Sequence, residues 1–402
     1  MKICMLSNLF PPVVSGSSTQ CSLLSQELVK RGHEVCVVTA RLTSDQPEQE
    51  VIAGVTVYRL PALRLPRMGI ALNFPWLSYT FTPANQARLA QIIERHQPEV
   101  LHLHNHMLDL ALSAVRMRDR FHIPLVVTLH TMIKHANPFY NLILYPADRI
   151  FLRLAVTNRS DVLVHPDVNI AEYSHEAFGD RPGALVPYGV SLPQTEVESM
   201  VAELKDRYNL HGKRVILSLG HVHEIRNRRD IIEALPTILE HFSETVVLIV
   251  GTVATDTPAA LARKLGVEHA VIFTGAVPHV QIPAFLALAD VEAHWLNQDD
   301  PEKTSLGIAS LEAMGAGKTI LAAANPDTYG RGLLRDGENI VLVRADNPAQ
   351  LAQTIISLLG DDEKRRIIGE AARKTIEAHF SWNSVCQRTL EMYSNAITSF
   401  QS

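Results

Sequence analysis

The 402-residue sequence has little of what marks secreted or membrane-spanning proteins. Its four cysteines are far apart and form no Cys-x-x-Cys pair, which argues against a disulfide framework or a zinc knuckle and fits a reducing compartment. It contains no run of about 18 apolar residues, and therefore no candidate membrane span. The first apolar run is broken by Asn8, Pro11 and Pro12, too early for a signal peptide. We therefore expect a cytoplasmic protein.

The sequence also lacks a strong charge of either sign. It has 37 Lys and Arg against 42 Asp and Glu, a net charge of −5, so its composition predicts no nucleic-acid partner and any anion site must be local. Hydrophobic residues make up 47% and charged residues 20%, which indicates a globular chain. The length predicts two or three domains.

Short apolar runs alternate with longer amphipathic stretches, a pattern typical of parallel sheets covered by helices on both faces. The first half contains the predicted strands Lys2–Ser7, Glu34–Thr39, Glu99–His104, Pro124–His130, Asp161–His165 and Ala184–Pro187. The alternation restarts with the predicted strands Arg214–Leu219, Thr245–Val250, Ala270–Phe273, Val291–His294, Thr319–Ala323 and Asn339–Val343. We predict an α/β protein of two doubly wound, Rossmann-like domains, 1–190 and 191–380, facing across a cleft. We expect a C-terminal helix, 381–402, to cross back to the first domain.

Two predicted loops at strand carboxyl ends have features of anion sites, because each opens a helix whose N-terminal N–H groups and dipole favour negative charge. In the first, Gly16 and Ser17 begin the helix; a tight turn with a Ser or Thr N-cap is the simpler explanation. In the second, Arg226, Arg228 and Arg229 stand together where cations are unfavourable unless an anion is bound. A solvated basic surface is the alternative there.

A third loop opens a short predicted helix that contains Glu312. This carboxylate lies among apolar and small residues, so it needs hydrogen-bond donors. Sugar hydroxyls would supply them, and a backbone N–H is the structural alternative. The helix ends in Gly315-Ala-Gly-Lys-Thr319, which is similar to the end of a P-loop, but Glu312 stands where that motif needs glycine. The glycines are better explained as a helix C-cap.

Histidines form the last candidate group. His102, His104 and His106 alternate after one strand, without a carboxylate or cysteine at ligand spacing, so we interpret His102 and His104 as core or rim residues and predict no metal site. His130 ends another predicted strand and is the candidate catalytic residue. Its imidazole could bond a substrate hydroxyl or stabilise a developing charge.

Together these segments resemble glycosyltransferase family 4, whose members are retaining enzymes of the GT-B fold that use nucleotide-sugar donors. The resemblance rests on three motifs and covers nearly the whole chain. They are Lys30-Arg-Gly-His-Glu-Val35, Pro187-Tyr-Gly-Val190 and Leu311-Glu-Ala-Met-Gly-Ala-Gly-Lys318.

The resemblance implies a role for each matching position. Gly16 and Ser17 would lie against the donor phosphates or the acceptor, and His130 near the reacting carbon of the transferred sugar. Glu312 would bind the ribose hydroxyls, and the loop after Phe273-Thr-Gly-Ala-Val277 would contact the base. Diphosphate contacts would come from Arg226 and from the backbone N–H groups of Leu306, Gly307 and Ile308.

Two positions depart from the family pattern. His221 stands where the family has an arginine that binds the diphosphate, and Arg228 or Arg229 would have to compensate. Thr304 stands where the family has a glutamate facing the donor sugar; the nearby carboxylates that could replace it are Asp299, Asp300 and Glu302. These departures affect the expected donor sugar and, to a lesser extent, the expected activity.

The acceptor is poorly specified by the sequence. The segment Tyr58–Phe81 combines arginines with aromatic residues, a composition that suits an anionic lipid interface. A loop packed on the first domain is the alternative. We therefore consider a peripheral contact with the inner face of the membrane.

We conclude from the sequence that the chain is a retaining glycosyltransferase. It would move a sugar from a nucleotide-sugar, with UDP favoured over GDP, to a hydroxyl of a lipid, glycan or small metabolite. Metal is expected to be dispensable, because Arg226 and helix N-termini neutralise the diphosphate and no Asp-x-Asp triplet occurs, and no cofactor is expected beyond the co-substrate. The alternatives are a nucleotide-sugar epimerase of the same architecture and a non-catalytic sugar-nucleotide-binding protein.

Overall fold

The computed structural model describes residues 1–13, 15–64, 78–135, 137–192, 197–222, 228–293 and 305–401. The chain forms two compact units. The N-terminal unit consists of Met1–Gly189 and Trp382–Ser402, and the C-terminal unit of Val190–Ser381. Among the described residues, no helix combines the length and apolar character needed to cross a membrane.

The N-terminal unit is built on a sheet with the strand order β10-β9-β8-β7-β1-β2-β4-β3, parallel except for the edge strand β3. Its strands are β1 (Lys2–Ser7), β2 (Glu34–Arg41), β3 (Gln49–Ile52), β4 (Val55–Pro61), β7 (Val100–His104), β8 (Leu125–Thr128), β9 (Val162–His165) and β10 (Gly183–Leu185), with β5 (Leu63–Arg64) and β6 (Ser78–Tyr79) forming a separate pair. The central strands read as continuous apolar runs because both faces of this sheet are covered.

The C-terminal unit repeats the plan with the order β13-β12-β11-β14-β15-β16, all paired in parallel. Its strands are β11 (Arg214–Leu219), β12 (Thr245–Val250), β13 (Val271–Gly275), β14 (Val291–Glu292), β15 (Thr319–Ala322) and β16 (Val341–Leu342). This is the doubly wound order, in which ligands bind at the carboxyl ends of the strands where the order reverses.

Helices connect these strands. Those of the first segment of the N-terminal unit, Met1–Gly189, are α1 (Gly16–Lys30), α2 (Pro83–His96), α3 (Leu110–Phe121), α4 (Pro138–Pro146), α5 (Arg153–Ala155) and α6 (Val168–Phe178). Those of the C-terminal unit are α7 (Glu198–Arg207), α8 (Arg229–His241), α9 (Thr257–Leu265), α10 (Ile282–Leu288), α11 (Ile308–Gly315), α12 (Pro348–Leu359) and α13 (Asp362–His379). The last helix, α14 (Trp382–Gln401), belongs to the N-terminal unit, where Tyr393 and Cys386 are buried in the core beside Met5.

Elements in both units differ from the sequence-based expectation. The hairpin of β3 and β4 was not predicted; Ala53 and Gly54 turn it with φ of 47° and 83°. The predicted strand Asn339–Val343 is shortened to β16, because Asn339 bonds locally instead of joining the ladder. Its side chain accepts from the N–H of Arg335 at 2.7 Å and donates to the carbonyl of Leu333 at 2.9 Å.

Candidate active site

A chain of hydrogen-bonded rings lies at the carboxyl ends of β7 and β8. Nδ1 of His104 lies 3.0 Å from Nε2 of His130, and Nδ1 of His130 lies 2.8 Å from the hydroxyl of Tyr188. The His130 ring is stacked between these two neighbours. Both ring nitrogens of His130 are therefore engaged inside the N-terminal unit, and their donor and acceptor roles are set together along the chain.

Burial controls the protonation of these histidines. It lowers the pKa of His130 to about 3, and the neighbouring His106 adds to the shift. Burial likewise lowers the pKa of His102 to about 3 and that of His104 well below its ordinary value. All three imidazoles are neutral at pH 7. A neutral ring can share a hydrogen bond, but it does not stabilise negative charge as a cation would. Of the two roles expected for His130, hydrogen bonding to a substrate hydroxyl therefore remains.

His102 is held deeper in the same unit. Its Nδ1 lies 2.6 Å from the hydroxyl of Tyr393 on α14, and its Nε2 lies 2.7 Å from the hydroxyl of Thr128. The cavity that His102 and Thr128 line together with His104, His130 and Tyr188 measures about 30 Å³, far smaller than the ~300 Å³ of a ligand pocket. This cluster is packed interior, as expected for core histidines. Within the described residues no group of three or more His, Cys, Asp and Glu side chains is placed to hold a metal ion.

The start of α1 contains the predicted residues Gly16 and Ser17, and it is closed by a capping box. The hydroxyl of Ser15 accepts from the N–H of Ser18 at 3.1 Å, and the hydroxyl of Ser18 accepts from the N–H of Ser15 at 2.8 Å. A Cβ placed on Gly16 would meet nothing within 4 Å. The simpler N-cap explanation therefore describes Ser15, while the space beside Gly16 stays open to a ligand.

The start of α11 differs because no described side chain caps it. Gly307 is the N-cap residue, and its carbonyl accepts from the N–H of Ser310 at 3.0 Å. The carbonyl of the buried Leu306 accepts from the hydroxyl of Tyr329 at 2.8 Å, which fixes the approach to the helix. The N–H groups of Ile308 and Ala309 precede this first bonded N–H and have no intrahelical partner. The predicted residue Thr304 lies outside the described residues.

Glu312 lies in the second turn of α11. Its Oε1 is 3.1 Å from Nε2 of His279, and this hydrogen bond raises the pKa of His279. His279 follows Val277 in the connection after β13, so the predicted base loop and the predicted ribose carboxylate belong to one neighbourhood. Sequence reasoning missed His279, because only the tertiary structure shows that Glu312 has an imidazole partner.

The arginines at the start of α8 lie in different environments, one buried and one exposed. Arg228 was expected to be a solvated or anion-binding cation, but it is 1% exposed. Its Nε donates to the hydroxyl of Ser218 at 2.9 Å and its Nη2 donates to the carbonyl of Gly220 at 3.1 Å. The expectation for Arg228 is wrong because polar groups at the end of β11 accept hydrogen bonds from its guanidinium. Arg229 is exposed and pairs with Glu233 at 2.8 Å.

The remaining predicted residues of this loop are His221 and Arg226. His221 is exposed, and Arg226 lies outside the described residues. The strand end beside His221 depends on Gly251, which has a φ of 146°. A Cβ on Gly251 would come within 2.3 Å of the carbonyl oxygen of Gly220, so only glycine fits this close approach. Sequence analysis did not single out Gly251.

The P-loop-like segment is a helix end. Gly317 has a φ of 72°, and its N–H donates to the carbonyl of Met314 at 2.9 Å. Lys318 is turned away from any phosphate site that the P-loop pattern would form, because its Nζ donates to the carbonyls of Ala287 and Ala289 at 3.1 and 2.9 Å. The C-cap interpretation is confirmed, with Lys318 tied to the end of α10.

Two family models match the chain along most of its length. The model for "Glycosyltransferase Family 4" matches residues 14–193, and the model for "Glycosyl transferases group 1" matches residues 201–375. A D-inositol 3-phosphate glycosyltransferase of Xylanimonas cellulosilytica is 29% identical over 93% of this chain and 90% of that protein. A phosphatidyl-myo-inositol mannosyltransferase of Mycobacterium leprae is 27% identical over 99% of this chain and 98% of that protein.

Solved structures share the fold. The Anabaena protein HepE, in a complex with UDP and glucose, superposes with a TM-score of 0.71 at 17% identity, over 98% of this chain and all of that chain. The two doubly wound units thus have the GT-B architecture of glycosyltransferases, which confirms the expected fold class. Within that class, the chain belongs to glycosyltransferase family 4.

Proposed function

We propose that this glycosyltransferase is a retaining hexosyltransferase that uses a nucleotide-sugar, with UDP as the favoured nucleotide and GDP as the alternative. The acceptor would be a hydroxyl of a lipid, a glycan or a small metabolite. The observation that carries the proposal is the uncapped start of α11 together with Glu312 one turn further on. The UDP in the HepE complex supports the choice of base.

The donor contacts in this proposal follow from what each group can offer. The diphosphate would accept from the backbone N–H groups of Leu306, Gly307 and Ile308, where the helix dipole also favours negative charge. Glu312 would exchange its bond to His279 for the ribose hydroxyls, since a carboxylate accepts from two neighbouring hydroxyl groups. The base would lie against the connection at Val277.

The positive charge at the diphosphate would come from Arg226, with His221 and Arg229 at its edge. Because Arg228 is buried and bonded to backbone carbonyls, compensation for His221 would rest on Arg229. Thr304 would meet the donor sugar as a hydrogen-bonding neighbour. Gly16 and Ser17 would lie against the phosphates or the acceptor, where Gly16 leaves room for close approach.

In the proposed reaction, the bond from the anomeric carbon to the diphosphate oxygen breaks as a bond to the acceptor oxygen forms on the same face. The acceptor proton passes to the leaving diphosphate. The low pKa of His130, about 3, supports this route, because the imidazole is a poor base at neutral pH. His130 would instead exchange its bond to His104 or Tyr188 for one to a sugar hydroxyl and so orient the sugar.

Two further features belong to the proposal. Transfer would need no metal, since Arg226 and the N-terminus of α11 carry positive charge to the diphosphate. The protein would work in the cytoplasm, and its four cysteines, all buried and unpaired, support a reducing compartment.

The test is a thermal-shift panel of uridine, guanosine and adenosine diphosphates and their sugars, each with and without EDTA. A ligand at 100 times its dissociation constant adds about 2.7 kcal/mol of stability. We expect the largest shift from the uridine compounds and no change with EDTA. A shift that EDTA abolishes contradicts metal independence, and no shift with any nucleotide contradicts the donor site.

Turnover then separates the alternatives. With each candidate acceptor omitted, an epimerase converts the donor to its isomer, whereas the proposed transferase does not. A non-catalytic binding protein shows the thermal shift without transfer or hydrolysis, an outcome that the departures at His221 and Thr304 would explain. Arg226→Ala should weaken nucleoside diphosphate binding by about 1.5–3 kcal/mol. The control is Arg263→Ala, which removes an exposed arginine paired with Asp256.

A further inference from the structure

A helical segment after β8 exposes large apolar side chains to solvent. It comprises α4, a π-helical turn at Ala147–Leu152 and α5, and we call residues 138–155 the outer helix. Its exposed apolar residues are 57–74% accessible: Phe139, Leu142, Ile143, Ile150, Phe151 and Leu154. They account for six of the fourteen large apolar side chains exposed among the described residues. A concentration of this kind marks an interaction surface.

The outer helix is oriented by a buried carboxylate. Asp148 is fully buried; its Oδ1 lies 3.2 Å from Nε2 of His106, and its Oδ2 accepts from the hydroxyl of Tyr173 at 2.6 Å. By contrast, no residue of α4 is buried. A helix that turned its apolar face inward would gain the energy of burying these side chains, so the anchor at Asp148 holds that face outward against the usual preference.

The exposed charges of the outer helix are of one sign. Arg149 and Arg153 are exposed, as is Lys134 just before the helix, whereas the acidic residue Asp148 points into the unit. Arg149 lies over the ring of Tyr145, 4.8 Å from its centroid. An apolar face flanked by arginines and aromatic residues is typical of helices that lie in the interface of an anionic membrane.

The same charge pattern argues against a second copy as the occupant. A symmetric dimer would place the outer helix against itself, because a twofold interface uses the same surface on both subunits. The exposed charged groups that the two outer helices bring to such a contact would all be positive. An anionic lipid surface meets the basic groups with opposite charge and offers the apolar side chains a hydrocarbon boundary.

We propose that the outer helix docks the N-terminal unit on anionic lipid bilayers. Its apolar residues enter the head-group boundary, and Arg149 and Arg153 meet the lipid phosphates. The outer helix begins eight residues after His130, at the same carboxyl edge of the sheet. Docking therefore brings the membrane surface to the edge where the His130 ring lies. This surface is distinct from Tyr58–Phe81, and it does not depend on the reaction proposed above.

Flotation of the full-length protein with vesicles tests the proposal. One set of vesicles is phosphatidylcholine alone, and the other is an equal mixture with phosphatidylglycerol. We expect binding to the mixed vesicles that weakens at high salt. The double variant Phe139→Ser with Leu142→Ser should lose at least about tenfold in binding. The control double variant Val51→Ser with Ile367→Ser replaces side chains that are 65% and 54% exposed elsewhere, and it should bind as the wild type does.

The charge contribution is tested with Arg149→Gln and Arg153→Gln. Each should weaken binding to the mixed vesicles about fivefold, and binding of the doubly substituted protein should depend less on salt. Arg263→Gln, an exposed arginine of the other unit, is the matched control. All substituted side chains are exposed, so the unfolding midpoints should stay unchanged.

Three outcomes would overturn the proposal. The wild type could fail to float with the mixed vesicles, or the Phe139 and Leu142 variant could bind as tightly as the wild type. The third is a dimer in sedimentation velocity that this variant dissociates, without any vesicle binding, which would identify a second copy as the occupant. None of these results bears on the nucleotide shift that tests the donor site.

Discussion

Two helix starts, one in each unit, differ in how their N–H groups are used. At α1, Ser15 and Ser18 satisfy each other in a capping box. At α11, Gly307 offers no side chain, and the N–H groups of Ile308 and Ala309 stay available. A capped start is stable without a ligand, whereas an uncapped start keeps its donors for an anion. Helix starts in two doubly wound units can therefore differ in whether they are able to bind an anion, and the residue at the N-cap decides which of them is.

The histidines of the two units differ in the direction of their pKa shifts. In the N-terminal unit, burial lowers the pKa of His102, His104 and His130. In the C-terminal unit, the bond to Glu312 raises the pKa of His279. One unit keeps its imidazoles neutral inside the core, while in the other a carboxylate raises the pKa of an exposed imidazole. The two units should therefore respond to pH in opposite directions.

The largest expected effect is acid destabilisation of the N-terminal unit. The folded pKa of His102 and His130 is about 3, and the unfolded value is about 6.5. As the pH falls from about 6.5 towards 3, these histidines bind protons in the unfolded chain but not in the folded unit. Stability is thus complete above about pH 6.5 and falls by about 1.4 kcal/mol per pH unit for each histidine.

Deuterium uptake, corrected for the intrinsic exchange rate at each pH, measures this difference. Peptides of the N-terminal unit should lose protection between pH 7 and pH 5 before those of the C-terminal unit. There the stabilisation from protonated His279 is present at low pH and is lost as the pH rises through its raised pKa. Equal loss in both units would contradict the prediction.

The next effect comes from making α11 resemble α1. Gly307 has φ −70° and ψ 155°, an extended conformation that any residue adopts. Gly307→Asp should add a few tenths of a kcal/mol to apo stability through its cap. It should weaken nucleoside diphosphate binding about 100-fold, because its carboxylate occupies and repels the anion site. Calorimetric titration measures the affinity.

Gly307→Asn is the matched control. It has nearly the same shape and caps the same N–H groups, but it carries no charge, so it should weaken binding less than the Asp variant does. If the two variants bind equally weakly, charge plays no part. If both bind as the wild type does, the start of α11 is not the diphosphate site.

A smaller effect is expected at the ring chain of the N-terminal unit. His130→Ala should lower turnover about tenfold, the value of one lost hydrogen bond, and leave nucleotide affinity unchanged. Tyr188→Phe keeps the imidazole but removes the hydroxyl 2.8 Å from its Nδ1, so its effect should be intermediate. Steady-state kinetics measures both variants. Wild-type turnover in His130→Ala, or a loss of nucleotide binding, would refute this role.

The smallest effect should be the loss of the α1 cap. Ser15→Ala should lower the free energy of unfolding by about 1 kcal/mol without changing nucleotide affinity, and denaturant unfolding measures the change. Ser17→Ala is the control for stability, because Ser17 is not the cap residue. Loss of affinity or turnover in the Ser17 variant alone would support its predicted contact with the donor phosphates or the acceptor.

Much of the fold could be predicted because strand and helix periods are local properties. The boundaries of β1, β11 and β12 agree with the predicted segments. Elements whose limits depend on side-chain bonds were less predictable, as at Asn339, where local hydrogen bonds shorten β16. The start of α11 and the place of Glu312 could be proposed from motif order, but the partner His279 could not.

The sequence alone determined the two doubly wound units and the polar loops at their strand ends, since apolar period and turn residues act over a few neighbours. Tertiary structure decided what each polar group can do, because partners and burial come from distant parts of the chain. The residue that fixes His102 is Tyr393, 291 positions away. Arg228 is buried and hydrogen-bonded to Ser218 and Gly220. Asp148 is buried against His106 and Tyr173, which orients the outer helix. In both cases the hydrogen-bonding partners meet only in the folded protein.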